Sequence, residues 1–336
     1  MGLKEKVRLR VQREVRHMRA RRRQRDLAIV ANRTGRIQRG DILIFCTLRN
    51  ERIRLPYFFE YYRKMGVNHF IFVDNGSDDG TRDYLVRQED VSLWSTTASY
   101  KRAHFGIDWL NGLMRRYAHN HWCLTVDPDE FLVYPFCDTR PLRALTDWMD
   151  SCSLRSMSAM LLDMYPRGAI GEEPYREGQD PFKIASWFDT GNYQISRNGQ
   201  FGNVWIQGGP RGRAFFGDNP FAAPALNKIP LVRWHRRYAY ISSTHMMLPR
   251  GLNNTYDRWG GEQVSGCLMH AKFIDTFGAK AEEEMRRGEH YAQSREYAAY
   301  QEQLSQEPKL WTRWSEQYVN WRQLEILGLI SKGNWA

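Results

Sequence analysis

The chain has 336 residues, 42% of them apolar and 13% aromatic, so it is long and apolar enough to bury a sizeable core. Its net charge of +11 is concentrated at the amino terminus, because residues 1–25 carry 11 Lys or Arg against Glu5 and Glu14, while residues 41–336 are neutral overall. A nucleic-acid-binding domain usually carries a basic face on its folded body, so this distribution argues against that class.

The cysteines argue against two further classes. They are odd in number, widely spaced and without a CxxC pair, which disfavours a disulfide framework or a structural zinc site and favours a reducing compartment. No apolar run approaches the roughly 20 residues that span a bilayer, and no signal peptide is visible. We therefore expect a cytoplasmic protein. The cysteines are Cys46, Cys123, Cys137, Cys152 and Cys267.

The first element is a basic helix over residues 1–27, within an N-terminal arm that we place at residues 1–40. Two interpretations are open. The arm is solvated or disordered, or it contacts anionic lipid head groups, each basic residue then contributing about 1 kcal/mol. The second interpretation places the protein peripherally on the inner face of a membrane. The apolar stripe of this helix is Val7, Leu9, Val11, Val15 and Met18.

From residue 41 the chain alternates between apolar runs, typical of strands buried on both faces, and helical segments. Pro56 fits a first helical turn and Gly66 a helix end. The alternation predicts an α/β fold with a mostly parallel central sheet. The predicted strands are 42–47, 69–73, 91–94 and 122–126, and the predicted helices are 54–65, 81–87 and 104–118.

The second half of the chain is less regular. Residues 165–225 are rich in Gly, Pro and aromatic residues, which is typical of long loops around a rigid core. From about residue 278 the chain becomes helical and polar and ends in a Trp-rich stretch, so we divide it into a domain over 41–277 and a helical C-terminal extension over 278–336. The other predicted elements are a helix at 140–150 and strands at 159–163, 229–234 and 238–242.

Polar clusters follow three of the predicted strands. They are residues 47–51 (TLRNE), Asp74-Asn75, and Asp127-Pro128-Asp129. Open α/β sheets bind ligands at the carboxyl ends of their strands, so three such clusters indicate a nucleotide pocket. Asp127 and Asp129 can both reach one hard cation, Mg²⁺ or Mn²⁺, which would neutralise a diphosphate leaving group. The alternative is a solvated acidic turn.

The segments FCTLRNE, FVDNGSDDGT and LTVDPDEF together resemble glycosyltransferase family 2 and its relatives with an "RNE" opening. The resemblance covers about residues 41–135 and implies a GT-A type fold that binds a nucleotide-sugar, usually UDP-linked. By position, it implies that Thr47, Asn50 and Glu51 line the nucleotide side. It also implies that Asp74 faces the base, and that Asp127 and Asp129 hold the metal.

Residues later in the chain could complete the site. The resemblance implies that His270 joins the metal site, although a lone His is often structural. Lys272 could meet the diphosphate. The segment 208–213 (GGPRGR) is expected to be a flexible cationic loop that closes over the donor, with Arg211 or Arg213 on phosphate, or else a plain surface turn.

An inverting sugar transfer needs a carboxylate that deprotonates the acceptor hydroxyl. The candidates are Asp163 and Asp189, each of which could instead cap a turn or bind the acceptor. We expect a saccharide or lipid-linked acceptor and a role in cell-surface polysaccharide or glycoconjugate synthesis. Two other functions stay open: nucleotidyl transfer on the same fold, and a nucleic-acid-binding module that acts through the basic arm.

Overall fold

A computed structural model describes residues 2–217, 219–255, 263–287 and 309–335. The strands are β1 (Ala28–Ala31), β2 (Ile42–Leu48), β3 (His69–Asp74), β4 (Val91–Ser95), β5 (Trp122–Thr125), β6 (Glu130–Val133), β7 (Ser156–Asp163), β8 (Trp187–Asp189), β9 (Tyr193–Arg197), β10 (Val204–Gly208), β11 (Asn227–Arg233), β12 (Ala239–Ser242), β13 (Met246–Leu248), β14 (Gly266–His270) and β15 (Ser315–Gln317). The helices are α1 (Leu3–Arg23), α2 (Leu55–Met65), α3 (Thr81–Val86), α4 (Ile107–Tyr117), α5 (Leu142–Ser151), α6 (Gly209–Phe215), α7 (Thr276–Arg287) and α8 (Trp321–Ile326).

The described residues form a central sheet of nine strands in the order β1-β4-β3-β2-β5-β11-β7-β14-β6. The pairs β4-β3, β3-β2, β2-β5 and β7-β14 are parallel, and the other four pairs are antiparallel. As a result β2, β3, β4, β5, β7 and β14 all run in one direction, and only β1, β6 and β11 oppose them. The predicted α/β class and mostly parallel sheet are confirmed.

Strand β2 shows why the apolar runs become central strands. Ile44 and Cys46 point into one core, which they share with α2, while Leu43 and Phe45 point into a second core on the opposite face, which they share with α4. Since both faces are covered by helices, consecutive residues of β2 from Ile42 to Cys46 are apolar, rather than every second one. Helix α2 ends at Gly66, whose φ of 98° is the left-handed conformation that glycine adopts readily.

Three features differ from the predicted elements. Strand β11 is antiparallel and lies between β5 and β7, and β6 follows β5 after a tight turn. Residues 165–225, predicted as loops, contain β8, β9, β10 and α6. These elements are short and pair largely with each other or with the far end of the chain, so no period of useful length marks them.

The N-terminal helix α1 is docked on the domain rather than free. Leu9 and Ala20 are buried, and Arg19 forms a 2.8 Å ion pair with Asp108 of α4. The opposite face of α1 points to solvent and carries an exposed apolar stripe of Leu3, Val7, Val11, Val15 and Met18. Among the described residues, no helix combines the length and the apolar character that a membrane span needs.

At the C-terminal end, α7 follows β14 closely, and β15 pairs with β8. Of the predicted helical extension from residue 278, residues 288–308 lie outside the described part of the chain. Trp311 and Trp314 precede β15, and Trp321 begins α8 and is buried.

Candidate active site

The strand register brings the predicted site residues to one edge of the sheet, called the carboxyl edge here. Leu48 at the end of β2 pairs with Asp74 at the end of β3. On the other side of β5, His270 of β14 pairs both with Asp163 of β7 and with Glu130 of β6. Because the parallel strands end together, residues far apart in sequence form one polar surface there.

Asp127 follows β5 and is the open carboxylate of this surface. It is exposed, and within the described residues its carboxylate has no hydrogen-bond or ion-pair partner. The surrounding protein and the neighbouring Glu130 carboxylate raise the pKa of Asp127 to about 7, even though water reaches the side chain. Asp127 is therefore both accessible and poorly neutralised, which favours contact with a cation.

Asp129 belongs instead to a chain of buried charges. Its Oδ2 lies 3.3 Å from Nε2 of His270, and Nδ1 of His270 lies 2.7 Å from Oδ1 of Asp163. The guanidinium of Arg211 completes the chain, since Nε donates to Oδ2 of Asp163 at 2.8 Å and a terminal nitrogen contacts Oδ1 at 2.5 Å. We call these four residues the buried charge chain.

The charges in this chain hold each other ionised. Burial alone would raise the pKa of Asp129 and of Asp163, but His270 on the first and Arg211 with His270 on the second lower both. Burial would lower the pKa of His270, whereas the Asp129 and Asp163 carboxylates raise it. With a carboxylate oxygen at each ring nitrogen, His270 in this arrangement presents no free lone pair to a metal.

Arg211 lies in the interior, not on a closing loop. The prediction of a flexible cationic loop at residues 208–213 is wrong, because residues 209–215 form helix α6, with Pro210 in its first turn. Arg211 is only 4% exposed, and its ion pair with Asp163 turns the guanidinium toward the core. The side chains of Arg211 and Asp163 are therefore buried beneath the carboxyl edge and are not exposed on its surface.

The carboxylate of Asp189, the second predicted base, also has protein partners. Nε of Arg213 donates to Oδ2 of Asp189 at 2.8 Å, and the Tyr165 hydroxyl contacts Oδ1. Lys272 lies near the carboxyl edge, with Nζ 5.8 Å from the ring centroid of Phe277. Burial raises the pKa of Asp129, and the Lys272 charge opposes this rise, together with the larger effects of His270 and Arg54. The predicted base candidates are therefore carboxylates already engaged by arginine.

On the predicted nucleotide side, the polar groups bind the protein itself. Asp74 accepts a hydrogen bond from the Ser77 backbone N–H at 3.2 Å. Glu51 is buried and paired with Arg54 at 3.1 Å. The hydroxyl oxygen of Thr47 is buried and has no hydrogen-bond partner in the described part of the chain. It packs against Gly106, where any side chain would collide with it.

Helix α7 lies across these strand ends. Glu283 accepts from Nε of Arg49 at 2.7 Å and from the Asn50 side-chain amide at 3.1 Å. Lys280 forms an ion pair with Glu51, and Arg287 donates to the Asn75 side chain at 3.0 Å. A ligand at the ends of β2 and β3 would have to displace this helix or bind together with it.

Sequence reasoning missed a second buried pair beside Asp127. Nζ of Lys228 lies 2.9 Å from Oε1 of Glu130, and both side chains are buried. Glu130 also accepts a hydrogen bond from the Asp127 backbone N–H at 3.2 Å, so the pair fixes the turn that carries Asp127. The signal was present, since Lys228 interrupts an apolar run and a buried charge requires a partner.

The donor atoms at the carboxyl edge fit a hard divalent cation only in part. Asp127 and Asp129 supply carboxylate oxygens, which Mg²⁺ and Mn²⁺ prefer. In the part of the chain that is described, no group of three or more His, Cys, Asp or Glu side chains is arranged to hold a metal. A cation here would have to complete its shell with ligand oxygens and water, as Mg²⁺ commonly does.

Comparison with known proteins does not assign a family. No protein-family model matches the chain, and no curated protein matches it in sequence. Among solved structures, a 4-diphosphocytidyl-2C-methyl-D-erythritol synthase aligns over 41% of this chain and 68% of its own, with 14% identity and a TM-score of 0.24.

Two other alignments are longer. A UTP-bound UGPase from Acinetobacter baumannii covers 80% of this chain and 84% of its own, with 9% identity and a TM-score of 0.29. A putative glucose-1-phosphate thymidylyltransferase from Bacillus anthracis, in complex with a sucrose, covers 86% and 95%, with 9% identity and a TM-score of 0.27. Similarity at this level carries no argument about activity, so the functional argument depends on the site itself.

Proposed function

We propose that the chain is a metal-dependent glycosyltransferase that binds a UDP-linked sugar at the carboxyl edge and transfers the sugar to a saccharide or lipid-linked acceptor. The observation that carries the proposal is Asp127. It is an accessible carboxylate with no partner among the described residues, at the end of a central strand and beside a second carboxylate. Such a group destabilises the free protein electrostatically, which is unfavourable unless a cation binds there.

Asp127 and Asp129 would hold the cation, and the bound cation would supply charge stabilisation for a departing diphosphate. In this proposal His270 is a positioning residue, because it holds Asp129 from the side away from the ligand. Asp163 and Arg211 hold His270 in turn, and Lys228 with Glu130 holds the turn of Asp127. This arrangement fixes the carboxylates before the ligand arrives, which limits the reorganisation needed during reaction.

The test is calorimetric titration of the full chain with UDP-sugars, with and without Mn²⁺, together with turnover. Cation and donor should each tighten the binding of the other, because the two carboxylates alone provide too few oxygens. Asp127→Asn should abolish this coupling. It should lower turnover about 100-fold or more, since a metal's charge stabilisation is worth several kcal/mol and about 1.4 kcal/mol is tenfold in rate.

Asp147→Asn is the matched control, because Asp147 is exposed on α5 and has no ion pair among the described residues. The folded state of Asp127→Asn should be intact, since the substituted carboxylate makes no hydrogen bond or ion pair to the residues that the structure describes. Equal affinity for the UDP-sugar with and without Mn²⁺, or full activity in Asp127→Asn, would contradict the proposal. Release of pyrophosphate from a nucleoside triphosphate, instead of nucleoside diphosphate from a UDP-sugar, would identify nucleotidyl transfer.

A further inference from the structure

A cleft of about 570 Å³ lies between α1 and the domain, on the side opposite the carboxyl edge. The register fixes this position: Arg233 at the end of β11 pairs with Trp122 at the start of β5, so the turn after β11 lies at the amino ends of the parallel strands. Six basic side chains and one acidic one, Glu14, line the cleft. The basic residues are Lys6, Arg10, Arg13, Arg115, Arg237 and Arg250.

Within the part of the chain that the structure describes, most of these cations have no anionic partner. Arg13 pairs with Glu14 at 3.1 Å, whereas the hydrogen bonds of the Arg115 and Arg250 side chains to described residues go to backbone carbonyl oxygens. The side chains of Lys6, Arg10 and Arg237 make no ion pair among the described residues. Like charges collected in a cleft focus a positive potential there and raise the local concentration of anions.

A buried histidine at the wall of the cleft has one ring nitrogen that makes no hydrogen bond to the described residues. His17 is 4% exposed, and its Nε2 lies 3.3 Å from the backbone oxygen of Arg237. Its Nδ1 is buried and has no hydrogen-bond partner among the residues described. An unsatisfied buried nitrogen costs free energy unless a ligand or water pairs with it. Burial and then the charge of Arg115 lower the pKa of His17, and a bound anion would oppose both effects.

The walls of the cleft are fixed to the domain. Leu9 of α1 is buried, and Gln24, just after α1, donates to the backbone oxygen of Trp109 at 3.0 Å. Leu248 and Pro249 form an apolar part of the opposite wall. The basic side chains therefore converge from α1, from α4 and from two turns onto one cavity, and are not spread along a solvated helix.

We propose that this cleft is a binding site for a multiply charged, phosphate-bearing anion. Several separate cations suit a ligand with more than one phosphate or with a phosphate and a carboxylate, because arginine pairs with such oxygens through two parallel hydrogen bonds. The volume is large enough for a diphosphate or a lipid head group. This site is distinct from the carboxyl edge and does not depend on the proposed transferase activity.

Two sources could supply this chemistry, a soluble polyphosphate or the head group of an anionic lipid. The exposed apolar stripe of α1 lies on the same helix as Lys6 and Arg10, and basic helices with such a stripe lie in the membrane interface. A bilayer that contacted the stripe would bring head groups to the rim of the cleft. The experiment therefore uses both probes.

The test compares two double variants of the full chain with the same change in charge. Arg115→Gln with Arg237→Gln alters the cleft, and Arg8→Gln with Arg22→Gln alters exposed positions of α1 outside it. Binding of tripolyphosphate is measured by calorimetry at constant ionic strength. Binding to vesicles of equal parts phosphatidylcholine and phosphatidylserine is measured by sedimentation.

We expect the cleft variant to bind at least one probe about tenfold more weakly than wild type, and the control variant to bind it about equally. Loss confined to tripolyphosphate identifies a soluble ligand, and loss that includes vesicles identifies a head group. His17→Ala should weaken binding of the same probe. Equal losses in both double variants would overturn the proposal, because binding would then depend on the total charge and not on the cleft. No binding of either probe by wild type would also overturn it.

Discussion

The carboxyl edge of the sheet and the opposite edge, where the parallel strands begin, differ in whether their charged side chains are paired. At the carboxyl edge, the carboxylates of Asp129, Glu130 and Asp163 lie within 2.5–3.3 Å of an arginine, lysine or histidine nitrogen. The Asp127 carboxylate has no such partner among the described residues. At the amino edge, a cleft collects cations and contains one acid, Glu14. Charges that satisfy each other stabilise a structure, whereas charges left without a partner in a concave place are available to a ligand. This difference separates supporting residues from candidate binding residues.

The largest expected effect on stability tests whether the buried charge chain is structural. Arg211→Met should lower the free energy of unfolding by about 3–5 kcal/mol, because it removes the guanidinium from a buried ion pair and leaves His270 as the cation beside the Asp163 carboxylate. Arg213→Met is the comparison, since the Arg213 side chain is 26% exposed against 5% for Arg211 and its loss leaves Asp189 closer to water. Urea unfolding measures both. Equal losses would mean that burial of the pair does not set its contribution.

A smaller effect is expected where α7 covers the strand ends. Glu283→Gln removes the charge that binds Arg49 and Asn50, so α7 should be displaced more easily. UDP binding should tighten by roughly two- to tenfold, the equivalent of about 0.5–1.5 kcal/mol for one net hydrogen bond. Glu282→Gln, at an exposed position of the same helix, should leave affinity unchanged. Weaker binding in Glu283→Gln would instead place α7 within the nucleotide site.

The smallest expected effect concerns the contact between α1 and α4. Burial raises the pKa of Asp108 from its ordinary value of 3.8 to about 6, although Arg19 opposes the rise. The folded protein then keeps a proton that the unfolded chain releases. Stability relative to Asp108→Asn should therefore be greatest below pH 3.8 and fall until the pH passes about 6.

Melting temperatures of wild type and Asp108→Asn across this pH range provide the measurement. Asp147→Asn serves as the control, because Asp147 is exposed. The melting temperature of this variant should equal that of wild type at every pH. A constant difference between wild type and Asp108→Asn would show that Asp108 titrates normally in the folded protein. Docking of α1 would then depend on its apolar contacts alone.

Much of the first half of the fold could be predicted from the sequence. The runs at 42–47, 69–73 and 91–94 became β2, β3 and β4 with ends shifted by one residue at most. Long apolar runs between amphipathic helices permit little else, because burial on both faces demands them. Strands such as β9, whose residues are mostly exposed, carry no comparable pattern and were missed.

The candidate site was only partly predictable for the same reason. Asp127 and Asp129 could be found because local sequence places both at a strand end. Two pairings could not be found from local sequence. Arg211 and Asp163 are 48 positions apart, and Lys228 and Glu130 are 98 positions apart. The assignment of Arg211 to a phosphate came from its glycine-rich surroundings, which form a helix instead.

By itself the sequence determined the α/β class, the order of the first strands and helices, and the unequal distribution of charge along the chain. The tertiary structure decided which of those charges are neutralised. A carboxylate or a guanidinium has the same chemistry wherever it occurs in the sequence, but its partners are set by strand register and helix packing. Burial makes a paired charge a structural element. A charge without an ion-pair partner among the described residues, such as Asp127 or Arg237 of the cleft, is available for binding.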